Sequence, residues 1–307
     1  MKYSTKHVAE YIPLVLLGGL IRVLPLRAAL TLGWLAAAAT HFLGRVKVER
    51  TRQRIQEVFG DQLSKKEIRH IAWCSWRNLF FNGIEALRFS KLTLKKIQRQ
   101  PIVRLAPELN KILKECAPGG FILATPHLGN WEIAGVVADL SDIPLFAIAR
   151  RQKNPLVDAY INKMRQSFGF EILLSSTHMG KGVVDRIKAG KILAILPDIG
   201  RRVGGVTVDF LQGKATISPG AAQFAQLAHC PIFPVCVRRI GWTRHDAVLL
   251  APIYPDPTQK KELDQQRMMQ ELMSALSTEI LKTPDQYFWY NKRWVLKPRS
   301  EFHLPKK

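Results

Sequence analysis

The spacing of apolar residues changes twice along this chain and divides it into three stretches. From Tyr11 to Leu43 most residues are apolar and none is acidic. Arg22 and Arg27 interrupt this stretch, leaving 12–21 and 28–42, neither a clean apolar run of about 20 residues. Three readings fit it: one helix crossing a bilayer from about Pro13 with snorkelling arginines, a pair of apolar helices lying in the interface, or a buried hairpin. A cleavable signal peptide is not expected, because no small-residue cleavage site precedes a polar start. From Val46 to Ile97 the spacing is helical. Ser64 followed by Glu67 predicts a capping box, and Ile68, Ile71, Ala72 and Ser75 recur on one face. Arg77-Asn78-Leu79-Phe80-Phe81 continues that helix.

After Pro101 short apolar runs alternate with helical segments. The runs predict strands over 121–125, 145–149, 171–174, 192–196, 232–237 and 247–250. Helices are predicted over 132–140, 155–168, 182–189 and 219–227, with a last amphipathic helix over 261–282. Such alternation predicts an α/β fold, a mixed, largely parallel sheet flanked by helices. There is no internal repeat and no linker separating a second domain. The chain therefore divides into an N-terminal hydrophobic membrane anchor over 1–44, a catalytic domain over 45–300 and a tail over 301–307.

Composition adds a partner. The chain of 307 residues carries a formal charge of +22, which calls for an anionic surface, polymer or substrate. Arg45, Lys47, Arg50, Arg52 and Arg54 cluster just after the apolar stretch. In that position they read as juxtamembrane cations, each worth about 1 kcal/mol near an anionic leaflet, and they place the body in the cytoplasm. Cys74, Cys116, Cys230 and Cys236 are scattered, which suits packing residues in a reduced compartment. Neither cysteines nor histidines show metal-ligand spacing, so no metal and no cofactor is expected.

The chemistry centres on His127-Leu128-Gly129-Asn130-Trp131-Glu132, directly after the predicted strand 121–125. Thr125-Pro126 closes the strand, and Gly129-Asn130 reads as a turn and helix N-cap. A histidine at the strand end and an acid in the first helical turn let Glu132 hold one imidazole nitrogen while the other takes a proton. The motif contains no Ser or Cys, so the nucleophile it suits is a substrate hydroxyl. A His and an acid at this spacing also occur as an ordinary hydrogen-bonded turn, and the whole string is what makes the case. Backbone amides near Gly129 and Asn130 are oxyanion candidates.

Four further segments are candidates. Arg150, Arg151 and Asn154 precede Pro155 at a helix start, where basic side chains and helix amides suit an anion; Arg165 on that helix faces the same pocket or water. Asp198 in Leu196-Pro197-Asp198 ends a strand, where it orients an arginine or a hydroxyl, or is a turn aspartate. In Phe210-Leu211-Gln212-Gly213-Lys214 the lysine could meet an anion. Pro284–Trp294 sets aromatics beside cations, either core or interface.

Taken in order, these segments resemble the late (secondary) acyltransferases of lipid A biosynthesis, within the lysophospholipid-acyltransferase-like group. The resemblance runs through nearly the whole chain: apolar anchor, H-x4-E, R-x3-NP, strand-end PD, F-x-G-x-A/T and P-x-Q-Y-x-W…R. It implies transfer of a fatty acyl group from acyl carrier protein to a hydroxyl of an acyl chain on a phosphorylated glucosamine-disaccharide lipid. It implies action at the cytoplasmic face of the bacterial inner membrane, with His127 and Glu132 as the catalytic pair and Arg165 and Asp198 on family site positions. Ile199 stands where Gln or His is common, and Asn291 where His is common. One basic surface would serve an acidic carrier protein, a phosphorylated acceptor and anionic membrane lipids. The alternatives are an enzyme of the same fold acting on a lysophospholipid, an ornithine lipid or a phosphatidylinositol mannoside, a membrane scaffold with a dead site, and a basic nucleic-acid-binding protein. Nucleic acid is not expected as a partner, because no zinc-finger, helix-turn-helix or RNP signature is present.

Overall fold

The computed structural model describes residues 3–93, 95, 103–104, 111–112, 115–116, 119–140, 142–149, 151–166, 171–174, 179–201 and 204–296. The expected tail over 301–307 lies outside them.

The N-terminal stretch forms two helices. α1 (Thr5–Val23) is capped by Ser4, whose hydroxyl accepts from the His7 N–H at 3.3 Å. It stops at Leu24, which precedes Pro25 and is held extended. α2 (Leu26–Ala38) follows and runs on through a wider turn, Ala39–Leu43. A single helix running on from Pro13 is therefore ruled out by the break at Leu24-Pro25. Among the described residues one stretch, Leu26–Leu43, is long and apolar enough to cross a membrane by length and composition. Its Ala29, Leu30, Gly33 and Ala37 are nonetheless buried. Ala29 and Leu30 pack with Ile21, Phe81, Ile84 and Leu87 in one apolar cluster, so these helices share core with the body.

α3 (Val48–Phe59) and α4 (Lys65–Leu87) carry the helical spacing read from 46 onward. The capping box is present: Ser64 Oγ accepts from the Glu67 N–H, and the Ser64 N–H donates to Glu67 Oε2 at 2.7 Å. The basic cluster is not uniformly a surface feature. Arg54 is buried and donates from Nη1 to the carbonyls of Trp289 at 2.6 Å and Asn291 at 2.9 Å. A cation inserted beneath the C-terminal aromatics is a packing element rather than a headgroup contact.

Seven described strands form the main sheet: β1 (Val103–Arg104), β2 (Ile122–Ala124), β3 (Leu145–Ala149), β4 (Glu171–Leu174), β5 (Ile192–Ile195), β8 (Ile232–Ile240) and β9 (Arg244–Leu249), where β6 and β7 are kept for a separate hairpin. Their order is β1-β9-β8-β2-β5-β3-β4. Every neighbouring pair is parallel except β8 and β9, which form an antiparallel hairpin. The mixed, largely parallel sheet is thus as predicted. α5 (Trp131–Asp139), α6 (Pro155–Gln166), α7 (Met179–Lys188), α8 (Gly220–Ala228) and α9 (Lys261–Lys282) flank it. The central strands are short continuous apolar runs because helices cover both faces. In the largest cluster Val183 and Ile187 of α7, Ala221 and Ala225 of α8, and Met268, Leu272 and Leu276 of α9 pack against Ile122, Leu193 and Ile232.

One element had no counterpart in the sequence reading. β6 (Val206–Phe210) and β7 (Gly213–Ile217) pair as an antiparallel hairpin. Val208, Phe210, Ala215 and Ile217 are buried, and Thr207 and Asp209 are exposed. The turn places Leu211 and Gln212 at positive φ without a glycine, so the usual hairpin signal is missing. Lys214 meets an anion inside the chain: its ammonium pairs with Asp209 across the hairpin at 2.5 Å.

Candidate active site

The site follows from strand order and register. β2 and β5 are parallel neighbours, with Ala124 opposite Ile195. Three residues beyond each partner stand His127 and Asp198. Both are carried off the same end of the sheet, and they meet: His127 Nδ1 lies 2.8 Å from Asp198 Oδ1. The His127 backbone N–H donates to Asp198 Oδ2 at 2.9 Å, so one carboxylate fixes both backbone and ring. The Asp198 side chain is 1% exposed and the imidazole 15%. With Nδ1 held inward, Nε2 is the nitrogen available for proton transfer.

The sequence expected Glu132 to hold one imidazole nitrogen; the carboxylate in contact with Nδ1 is Asp198. Glu132 lies in the first turn of α5 and is exposed, and its charge acts on His127 through space. Burial disfavours the charged imidazole. The charge of Asp198, its hydrogen bond and the charge of Glu132 outweigh burial and raise the His127 pKa above 6.5.

Aromatic side chains wall the imidazole. The ring of Trp131 meets it edge-on with centroids 4.8 Å apart, and Phe288 lies at 6.3 Å. The Phe288 N–H donates to the His127 carbonyl at 2.9 Å. Tyr287, fully packed, shares Asp198. Burial, the Asp198 charge and a hydrogen bond to that carboxylate push its phenol well above 10, so it stays a donor. Within the segment 284–294 the aromatics Tyr287, Trp289 and Tyr290 are buried while Lys292 and Arg293 are exposed, and its aromatic part forms the floor under His127.

The turn after His127 is held by three elements. Gly129 has φ +57, and a Cβ there would collide with the carbonyl of Val237, so only glycine fits. Its N–H donates to the Gln286 carbonyl at 3.1 Å, and its carbonyl accepts from Asn82 Nδ2 at 2.6 Å. Asn130 is the N-cap of α5: Oδ1 accepts from the Ile133 N–H at 3.2 Å, and Nδ2 donates to Glu85 Oε2 at 2.6 Å. The Gly129 amide is engaged and so is not the oxyanion donor expected from the sequence, and the Asn130 side chain is taken up by the cap and by Glu85. Both are structural members of the turn.

The second candidate segment also changes meaning. Asn154 caps α6 as predicted, accepting from the Leu156 and Val157 N–H groups at 3.0 and 3.4 Å. Its Nδ2 donates to the His7 carbonyl and to Glu10 Oε2, so it fastens α6 to α1. An amide already satisfied by the protein leaves the start of α6 occupied rather than open to an anion. Arg151 is exposed at that end, and Arg150 lies outside the described residues. Arg165 is on α6, with its side chain outside the described set.

Asp198 and the segment 284–294 with Gln286 and Tyr287 were legible as candidates but not their partners, and Glu85 and Arg239 carried no signal in the sequence. Strand order supplies the partner of Asp198. Once β2 and β5 are neighbours, two strand-end titratable residues three positions past one register pair must lie close together.

The α/β fold thus sets a histidine at the end of a parallel strand against a buried carboxylate, with no Ser or Cys in the histidine's own motif. The family model for bacterial lipid A biosynthesis acyltransferases matches residues 2–295, and the chain belongs to that family. Among curated relatives, a phosphatidylinositol mannoside acyltransferase of Mycolicibacterium smegmatis is 27% identical over 180 residues, 57% of each chain. One of Mycobacterium tuberculosis (strain H37Rv) is 26% identical over 163 residues, 52% of this chain and 49% of its own. A lipid A biosynthesis acyltransferase of Haemophilus influenzae is 25% identical over 173 residues, 55% of this chain and 51% of its own. The matches cover about half the length of these curated relatives.

Proposed function

We propose that this chain transfers a fatty acyl group from acyl carrier protein to a hydroxyl on an acyl chain of a phosphorylated lipid A precursor. The observation that carries the mechanism is the Asp198–His127 contact. Nε2 of His127 removes the proton of the acceptor hydroxyl. The alkoxide attacks the thioester carbonyl, and the tetrahedral intermediate collapses with loss of the thiolate. The imidazolium, stabilised by Asp198 and by the Glu132 charge, returns its proton to the thiolate. No acyl-enzyme forms. The oxyanion falls to the N-terminal end of α5, where the helix dipole and the first-turn amides favour developing negative charge.

Membrane attachment belongs to the same proposal. Leu16, Leu17, Leu20 and Val23 of α1, with Leu35 of α2 and Phe42 and Leu43 after it, are exposed. A helix pair with one face in the protein core and the other apolar and bare suits a seat in the bilayer interface. The +22 charge suits anionic lipid, an acidic carrier protein and a phosphorylated acceptor together. This supports a catalytic body on the cytoplasmic face of the inner membrane.

A second acceptor class is favoured by a specific observation: two of the curated relatives act, by name, on phosphatidylinositol mannoside. The test is mass spectrometry of lipids from cells with and without the gene. The proposal expects loss of one acyl group from the lipid A fraction. A loss confined to a mannosylated phosphoinositide instead would reassign the acceptor, and an unchanged lipid profile would refute both.

A further inference from the structure

Glu85 is a buried carboxylate without an obvious purpose, 5% exposed on α4. Arg239 of β8 clamps it at two points, Nη1 to Oε1 at 2.8 Å and Nη2 to Oε2 at 2.6 Å. The same Oε2 receives Asn130 Nδ2 at 2.6 Å. Three residues earlier on α4, Asn82 accepts from Arg239 Nη2 at 2.7 Å and donates to the Gly129 carbonyl. Gln286 closes the ring: its Oε1 accepts from the Arg239 N–H at 2.6 Å, and its Nε2 donates to the Arg239 carbonyl at 3.0 Å. Its own carbonyl holds the Gly129 N–H.

A buried ion pair of this kind adds little net stability, because desolvation offsets most of its attraction. What it supplies here is direction. Arg239 Nη1 also donates to the Trp242 carbonyl at 2.9 Å and His245 Nε2 lies 3.7 Å from Glu85 Oε2, while three bonds of the hub, from Asn82, Gln286 and Glu85, end on the dipeptide Gly129-Asn130, which joins His127 to the start of α5. We infer that Glu85, held by Arg239, is the positioning residue of the reaction: it fixes the turn that sets His127 relative to the α5 amides. Misplacing catalytic groups by about 1 Å costs on the order of 100-fold in rate.

The inference rests on the acyltransfer reading, and the test separates the two. Asn130→Ser keeps an N-cap oxygen for α5 and removes only the donor to Glu85. Two readings are taken on the full-length protein. The first is hydrogen exchange of the peptide spanning 127–133, without substrate. The second is kcat and KM for acyl transfer as a function of pH. Exchange in that peptide is expected to quicken about tenfold or more while the central strands stay protected. The kcat is expected to fall about 10- to 100-fold, with KM within about twofold and the acid limb of the pH profile in place, since Glu85 does not touch His127. Glu85→Gln is expected to show the same pattern if it folds. Unchanged exchange, or quickened exchange with kcat preserved, would overturn the inference. Failure of the unsubstituted enzyme to acylate any lipid acceptor would instead refute the functional reading, and the exchange result would still decide whether Glu85 holds the turn.

Discussion

His127 does its work through two kinds of neighbour. In the proposed mechanism Asp198, in contact with Nδ1, sets the tautomer, and the Glu132 charge adds to the stabilisation of the imidazolium. Removal of the imidazole in His127→Ala deletes the base and leaves the buried floor intact. The acyl-transfer rate is expected to drop by about 10²–10⁴-fold with the fold retained, and near-normal turnover in a folded variant would exclude His127. Glu132→Gln removes charge support without touching the Asp198 bond. A smaller rate loss and an acid limb shifted to lower pH are expected; a profile identical to the parent would exclude Glu132 from the mechanism. The raised His127 pKa also has a stability consequence. The ion pair with Asp198 contributes fully below the unfolded value near 6.5 and fades as pH rises through the folded value. The loss of melting temperature in Asp198→Asn is therefore expected to be largest in mild acid and to narrow at alkaline pH.

Among the elements, β2 and its turn matter most. Gly129→Ala would place a Cβ against the Val237 carbonyl in a left-handed backbone. A cost above about 1 kcal/mol is expected from the backbone alone, read as a lower denaturation midpoint, together with loss of activity. A variant with unchanged midpoint and rate would show that the turn tolerates a side chain. Much at this scale was legible in advance. The strands 145–149 and 171–174 and the helix 261–282 are where periodicity placed them, because each is a run with one clear period. The β6–β7 hairpin was not legible, since Leu211 and Gln212 take the turn that Asn-Gly usually marks. The contact between His127 and Asp198 was illegible for a different reason. The residues lie 71 apart, and only strand order brings them together. Asn130 shows the limit from the other side: the cap was readable, but its bond to Glu85 depends on where α4 packs.

The molecule as a whole joins a catalytic sheet to an apolar helix pair and a strongly positive charge. α1 and α2 share core with α4, so the attachment and the site belong to one packed body. The exposed Leu16, Val23 and Leu43 are the residues best placed for lipid, being 69%, 75% and 84% exposed. Replacing all three by glutamate is expected to abolish flotation with anionic vesicles while leaving the fold intact; unchanged flotation would move the contact elsewhere. Raised salt alone is expected to weaken binding without releasing the protein, since the apolar contribution is not screened.

The central claim is that a carboxylate-braced imidazole activates the acceptor hydroxyl. The pH dependence of kcat for the parent and Asp198→Asn tests it most directly. The account expects the parent rate to climb with pH through a limb above 6.5. Without the Asp198 charge that limb should move to lower pH, and the plateau should fall by about 10²–10⁴-fold as the wrong tautomer faces the substrate. Superimposable profiles for the two proteins would contradict it.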